Sequence, residues 1–203
     1  MIGRKLLLPP AALLLACFQL LLPLVGVSAR SAPMEGPLPI LAIPPRPARI
    51  PRPNELDPST GLYMTGTPKF LHADTYRLRV SGKVLHPLRL TYDDLRRMPR
   101  LTSKDPLICR GNFEDYARWA GASLIAVLDR AGVKPGATSL DLRSADGYST
   151  FINLSEARSG YAFLAYEWEG KALPELHGYP VRAVFPGSSG FHWVKWLVEI
   201  RVK

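Results

Sequence analysis

The chain has 203 residues, with 26 Lys and Arg against 17 Asp and Glu, a formal charge of +9 at neutral pH. Within that length there is room for one domain with its own hydrophobic core and for flanking segments, but not for a string of domains of ordinary size. The positive balance fits a solvated basic surface, an anionic ligand or a nucleic acid.

Residues 1–29 read as an export signal or an N-terminal membrane anchor. Arg4 and Lys5 make a positive start, an apolar run follows from Leu6 to Val27, and Val27-Ser28-Ala29 offers the small side chains a signal peptidase accepts. The run is long enough to span a bilayer, although Pro9, Pro10 and Pro23 each remove a helix hydrogen bond. Leu14-Leu15-Ala16-Cys17 resembles a lipoprotein cleavage box, yet the apolar run continues well past Cys17. All three readings put the rest of the chain outside the cytoplasm, in the periplasm or otherwise exported. Membrane attachment is then confined to the N-terminus, and nucleic acid is not an expected partner. Cleavage after Ala29 lowers the charge to +7 and leaves Cys109 as the one cysteine, so no internal disulfide can form. A lone cysteine in that compartment is either an inert buried residue or a thiolate with a task.

Residues 30–58 hold nine of the 20 prolines and are expected to be an extended tether that holds the domain off or wraps along its surface. The globular pattern begins near Thr60, which sets residues 59–203 as the domain. Tyr76-Arg77-Leu78-Arg79-Val80 alternates apolar and basic side chains as a half-buried strand does. Thr91, with Asp94 three residues on, predicts a capped short helix ending before Pro99. Leu107-Ile108-Cys109 is a brief strand leading into the turn Arg110-Gly111-Asn112. Leu124, Val127, Leu128 and Ala131 recur at helical spacing, and Gly132 stops that helix. Strands are predicted at Leu140–Leu142 and Thr150–Ile152 around the turn Asp146-Gly147, with Asn153 capping a short helix to Arg158. Further strands are predicted at 162–166, 181–185 and 196–202. Strands with short helices among them define an α+β domain with mixed sheets.

Dinucleotide and P-loop glycine motifs, His-Glu-x-x-His and Cys-x-x-Cys-His are all missing from the sequence. The four histidines, His72, His86, His177 and His192, share no metal-ligand spacing.

From Tyr76 onward the chain resembles the molybdopterin-binding domain of the sulfite oxidase family. The resemblance rests on pieces in order: Leu107-Ile108-Cys109-Arg110-Gly111-Asn112, Trp119-x-Gly121-x-x-Leu124, and Leu164-Ala165-Tyr166 with Gly170 and Leu173-Pro174. His177-Gly178-Tyr179-Pro180-Val181-Arg182, then Pro186-Gly187, Gly190 and Lys195-Trp196, complete the series. It implies a sulfite-oxidase-like fold and a molybdenum-molybdopterin cofactor, with Cys109 as metal ligand. It implies oxygen-atom transfer on a small oxyanion or sulfoxide, and electron exchange with a separate protein, a cytochrome. On the same ground Cys109, Arg110 and Tyr148 are the candidate catalytic residues, and His177, Arg182, His192 and Lys195 join Cys109 in cofactor binding. A soft thiolate suits a thiophilic redox metal. Arg110 and Arg182 supply fixed positive charge, and Lys195 a point charge for the pterin phosphate. Trp119 and Trp196 are expected in the core. The sequence departs from the family pattern in two places: Tyr63-Met64-Thr65-Gly66-Thr67-Pro68 lacks the family's pterin-gripping side chains, and His192 stands where another basic residue is expected. A single domain is expected, without the dimerisation and haem domains of larger members. The alternative is a non-catalytic pterin or anion-binding module, or a subunit of a larger redox complex.

Overall fold

A computed structural model describes residues 36–203. The apolar run Leu6–Val27 and the Val27-Ser28-Ala29 site lie outside the described residues. Among those residues no helix is long and apolar enough to cross a membrane.

Residues 36–55 form no regular element, as their prolines require, but they are laid along the domain. The Ala172 N–H donates to Ala42 O at 3.1 Å, Arg97 donates to Gly36 O at 2.8 Å, and Arg96 donates to Pro39 O. Arg46 pairs with Glu175 at 2.7 Å, and Pro51 is buried. Strand β1 (Leu56–Asp57) then pairs antiparallel with β2 (Leu62–Tyr63). Asp57 is as buried as the core, with Oδ2 2.9 Å from His177 Nε2. The hydrogen-bonded unit therefore begins before the boundary expected at residue 59. Among the described residues no ladder precedes residue 56, and of the two expected courses the arm takes the one along the domain surface.

Strands β3 (Arg77–Gly82) and β4 (Leu88–Thr91) form a hairpin-like pair ending in helix α1 (Tyr92–Arg96). Thr91 Oγ1 accepts from the Asp94 N–H at 3.0 Å, while the Asp94 carboxylate accepts from the Thr91 N–H at 2.8 Å. That reciprocal box satisfies two otherwise orphaned donors, which is why so short a helix forms where the sequence predicts it. Next come β5 (Arg100–Ser103), β6 (Leu107–Cys109), β7 (Phe113–Asp115) and β8 (Trp119–Ser123). Helix α2 (Leu124–Ala131) buries Leu124, Val127, Leu128 and Ala131 and stops at Gly132, whose φ of 65° a side chain would resist. Beyond it lie β9 (Ser139–Ser144), β10 (Ser149–Asn153), α3 (Leu154–Ala157), β11 (Phe163–Trp168), β12 (Lys171–Ala172), β13 (Arg182–Val184) and β14 (Leu197–Val202). Asn153 stands at the N-cap of α3 without a side-chain cap bond.

These elements form two five-stranded sheets and two small ladders. One sheet runs β10-β9-β14-β3-β4, with β14 parallel to β3 and the other pairs antiparallel. The other runs β12-β11-β8-β5, with β13 also pairing β11. All five residues of β8 are buried, so its sequence does not alternate, and no strand was predicted there. Gly121 makes its pairing possible: a Cβ at that position would stand 2.0 Å from Leu164 O. The observed architecture is the expected α+β fold of mixed sheets and short helices.

The docking of the arm makes a measurable difference. A chain beginning at residue 59 should melt roughly 5–10 °C below one beginning at residue 36, for a loss of about 2–3 kcal/mol. Asp57→Ala in the longer chain, which strands a buried imidazole, should account for a large part of the difference. Identical thermal midpoints for the two lengths would refute the docking.

Candidate functional site

Cys109 ends β6, and the Asn112 N–H donates to Cys109 O at 2.9 Å to close the turn into β7. Tyr63 stacks on Phe113 with ring centroids 4.9 Å apart, fixing this hairpin against β2. A parallel bridge between Ile108 and Ser189 draws in the loop after β13. Gly190 in that loop approaches so closely that a Cβ would stand 2.6 Å from Cys109 Sγ. Glycine is required there if the thiol is to keep its place.

The thiol lines a cavity of about 220 Å³ with Tyr148, Lys195 and Trp196. Thr65 and Gly66, following β2, form another part of the wall, and the β9–β10 turn contributes Ser144 and Asp146. Trp196 adopts φ 45°, a left-handed conformation uncommon for a bulky residue. In a regular strand Lys195 and Trp196 would face opposite ways, but this break lets both line the cavity. Trp196 is held by its indole N–H to Glu175 O at 2.8 Å, and its own carbonyl accepts from the Ala145 N–H at 2.9 Å.

Behind the cavity lie two buried cations. Lys195 Nζ donates to Thr65 O and Leu176 O, each at 3.1 Å. Burial pushes its pKa down to about 7, and the Arg182 charge acts in the same direction against Asp115, Asp146 and Asp57. The Arg182 guanidinium lies 4.7 Å from the Trp119 ring and 5.8 Å from the Trp193 ring. It donates to His177 O and Trp193 O, each at 3.3 Å, while its Nε has no hydrogen-bond partner among the described residues. Burial lowers Arg182 to about 10, so it remains a cation at neutral pH. Asp115, unforeseen from the sequence, is buried and accepts from the Tyr63 N–H at 2.9 Å. Burial raises its pKa, opposed by that bond and by Arg182 and Lys195. Burial and Asp115 also raise the Cys109 thiol, against the pull of Arg182 and Lys195. Together these influences favour a protonated thiol, which a thiophilic metal would convert to a bound thiolate.

Thus the cavity collects Cys109, Tyr148 and Lys195, with Arg182 close enough to act on the charges of Cys109 and Lys195. The Tyr148 hydroxyl donates to Phe191 O at 2.8 Å, and burial raises its pKa, keeping it a donor at neutral pH. Arg110 is on the exposed turn, where it lines a separate shallow hollow with Cys109. His192 Nδ1 lies 2.6 Å from Ser188 Oγ and its ring packs edge-on to Phe185, outside the cavity wall. His177 is buried with Nε2 between Asp57 Oδ2 and Thr60 Oγ1, the latter at 3.2 Å, so it ties the arm to the cofactor-side loop. Trp119 and Trp196 are fully buried as expected, though Trp196 also faces the cavity.

A thiolate donor and two poorly compensated buried cations fit a cofactor that presents a soft metal and an anionic group. Residues 64–203 match the family model described as the oxidoreductase molybdopterin binding domain. The chain is 30% identical over 155 residues to the uncharacterized oxidoreductase YuiH of Bacillus subtilis, covering 75% of this chain and 78% of that one. It is 35% identical over 163 residues to the human mitochondrial sulfite oxidase, covering 66% of this chain and 30% of that protein. Among solved structures, the sulfane dehydrogenase SoxCD of Paracoccus pantotrophus superposes with a TM-score of 0.64 at 30% identity. That match covers 66% of this chain and 40% of that one. The chain thus spans less than half the length of the sulfite oxidase and of the SoxCD chain.

The buried bases give the unloaded protein a signed pH dependence. Burial, opposed by the bond to Asp57, lowers His177 from 6.5 to about 4. The unfolded chain therefore binds more protons than the fold between those values, and stability falls as pH drops from 6.5 to 4. Lys195 acts in the same sense between about 7 and its unperturbed 10.5, so stability rises with pH across that window. Asp115 and Cys109, both raised by burial, act in the opposite sense, so the Lys195 contribution is read as the wild-type stability minus that of a Lys195 variant. In metal-free thermal melts, the stability of the wild type relative to Lys195→Met should rise with pH between about 7 and 10.5; a difference independent of pH there would contradict the burial of Lys195 as a titrating cation.

Proposed function

The chain belongs to the family of oxidoreductase molybdopterin-binding domains related to the sulfite oxidases, and we propose that it acts as a molybdenum-dependent oxidoreductase on a small oxyanion or sulfoxide outside the cytoplasm. The family membership implies a molybdenum-molybdopterin cofactor. The observation that carries the reading is the lining of one cavity by the Cys109 thiol, the Tyr148 side chain and the buried Lys195.

Cys109 would hold the metal through its thiolate, and Lys195 and Arg182 would offset the negative charge of the pterin's anionic end. When bound, the cofactor supplies two-electron oxygen-atom transfer. The chain's part is to bind, orient and keep water in check. Tyr148, whose hydroxyl remains protonated, would serve a substrate oxygen by turning its O–H away from Phe191 O. Lys195 lowered to about 7 gains by meeting an anion, since that charge restores its protonated form. The sequence encodes no Cys-x-x-Cys-His haem site, so electrons are assigned to a separate carrier protein.

Export is part of the same proposal and rests on Leu6–Val27 and Val27-Ser28-Ala29. N-terminal sequencing of protein recovered outside the cytoplasm should begin at Arg30. An intact Met1 in a membrane fraction would identify an anchor, and an unprocessed cytoplasmic pool would exclude export.

Cys109→Ser tests the chemistry directly. A hydroxyl is a harder and far less ionised ligand than a thiol, so turnover of sulfite or a sulfoxide with an artificial carrier should fall by about 10³-fold or more. The fold should be little disturbed, because the volumes are similar and no disulfide is lost. Pterin fluorescence after release should persist in part, since Lys195 and Arg182 remain. A variant with wild-type turnover would end the metal-ligand assignment, and a wild-type chain loaded with molybdopterin yet inert towards both substrate types would refute the proposed reaction.

A further inference from the structure

The sheet β10-β9-β14-β3-β4 buries one face, through Leu78, Val80, Leu140, Leu142, Ile152 and Ile200, and leaves the other uncovered among the described residues. The register carries charge across that open face. Arg89 pairs with Arg79, Arg79 with Glu199, and Glu199 with Arg143; in the next row Arg201 pairs with Asp141. Around this part of the face Arg79, Arg89, Arg143, Arg201 and Lys203 stand against Glu199 and Asp141, a surplus of three positive charges among these seven. Arg89 and Arg201 have no ion pair among the described residues. The charges flank a groove of about 610 Å³. Glu199 sits low in it with its side chain 17% exposed, between the 61% and 64% exposed side chains of Arg79 and Arg143. Phe151, paired to Asp141 and 64% exposed, adds an apolar anchor.

The groove and the site share one hairpin. Arg143 and Ser149 line it, and their chain neighbours Ser144 and Tyr148 line the cavity that holds Cys109. The β9–β10 hairpin thus has its tip in the cavity wall and its two strands in the charged face.

We propose that this open face is the docking surface for a separate electron-transfer protein whose contact surface is acidic. The proposal rests on the redox reading above and gives its unnamed carrier a place and a charge. A cationic rim speeds the encounter of an acidic partner, Phe151 supplies an exposed aromatic contact, and the β9–β10 hairpin joins the docked face to the cavity wall. An anionic bilayer is the poorer occupant, because a flat lipid surface would touch only the rim of a concave groove with a carboxylate low inside it.

The test uses the whole exported chain and the double variant Arg143→Glu/Arg201→Glu, with unchanged melting as the control for folding. The probes are an acidic c-type cytochrome, a basic cytochrome of similar size, and vesicles of phosphatidylglycerol. Binding is read by titration calorimetry and by stopped flow without substrate, so it is scored independently of turnover. The wild-type chain should bind the acidic cytochrome in a salt-sensitive manner and ignore the basic one. The double variant should associate about ten- to hundredfold more slowly at low ionic strength, while substrate turnover with a small uncharged quinone stays at the wild-type level. An acidic cytochrome that binds both proteins equally, or not at all, would overturn the docking surface. So would a variant that loses vesicle binding while keeping cytochrome binding. If the surface behaves as expected but the loaded wild-type chain turns over no substrate with the quinone, the redox reading fails and the docking surface stands.

Discussion

Two positive charges, Arg182 and Lys195, are enclosed in this domain, and much of the site is arranged around making that tolerable. Removing a cation from water is costly unless hydrogen bonds and opposite charge replace the solvent. Here the replacements are carbonyl oxygens from Thr65, Leu176, His177 and Trp193, the faces of Trp119 and Trp193, and the nearby carboxyl of Asp115. They are incomplete. Lys195 is displaced to about 7, and Arg182 Nε is left without a partner. A domain with that deficit beside a cavity is preorganised for an anion, and the family to which the chain belongs binds one.

The loops that supply those carbonyls need their own restraint. His177 provides it by joining Asp57 and Thr60 on one side, while its backbone oxygen meets Arg182 on the other. Burial opposes ionisation of Asp57, yet its bonds from His177 and Ser59 together hold the carboxyl below the usual range. His177, expected from sequence in cofactor binding, also has a structural part through its Nε2 contacts. It fastens the proline-rich arm to the segment that carries the buried cations.

What could be read in advance follows from the range of each interaction. Helix α1 was legible because its capping box is complete within four residues, and α2 because its apolar stripe and stop signal are local. Cys109 at a strand end before a glycine turn was legible for the same reason. Strand β8 was not, since burial on both faces erases alternation. The role of Asp57 depends on a residue 120 positions away, and Asp115 gains its importance only from neighbours on other elements. Of the site residues, Cys109, Tyr148, Lys195 and Arg182 come together, whereas Arg110 and His192 belong to the turn and the loop that flank them. Lone basic residues near a motif carry no local signal of which way they face.

The parallel pairing of β14 with β3 has a kinetic consequence. Arg79 and Glu199, neighbours in that ladder, are 120 residues apart, and β14 lies between β3 and β9 at the middle of its sheet. Closing so long a loop costs entropy before any contact repays it. The N-terminal strands emerging from a ribosome or a translocation pore have no central strand to join until β14 arrives, and Lys195 and Trp196 arrive with it. Closure of this sheet and completion of the cavity wall should therefore coincide, late in synthesis. Until then Cys109 stands without the Lys195 and Trp196 walls of its cavity.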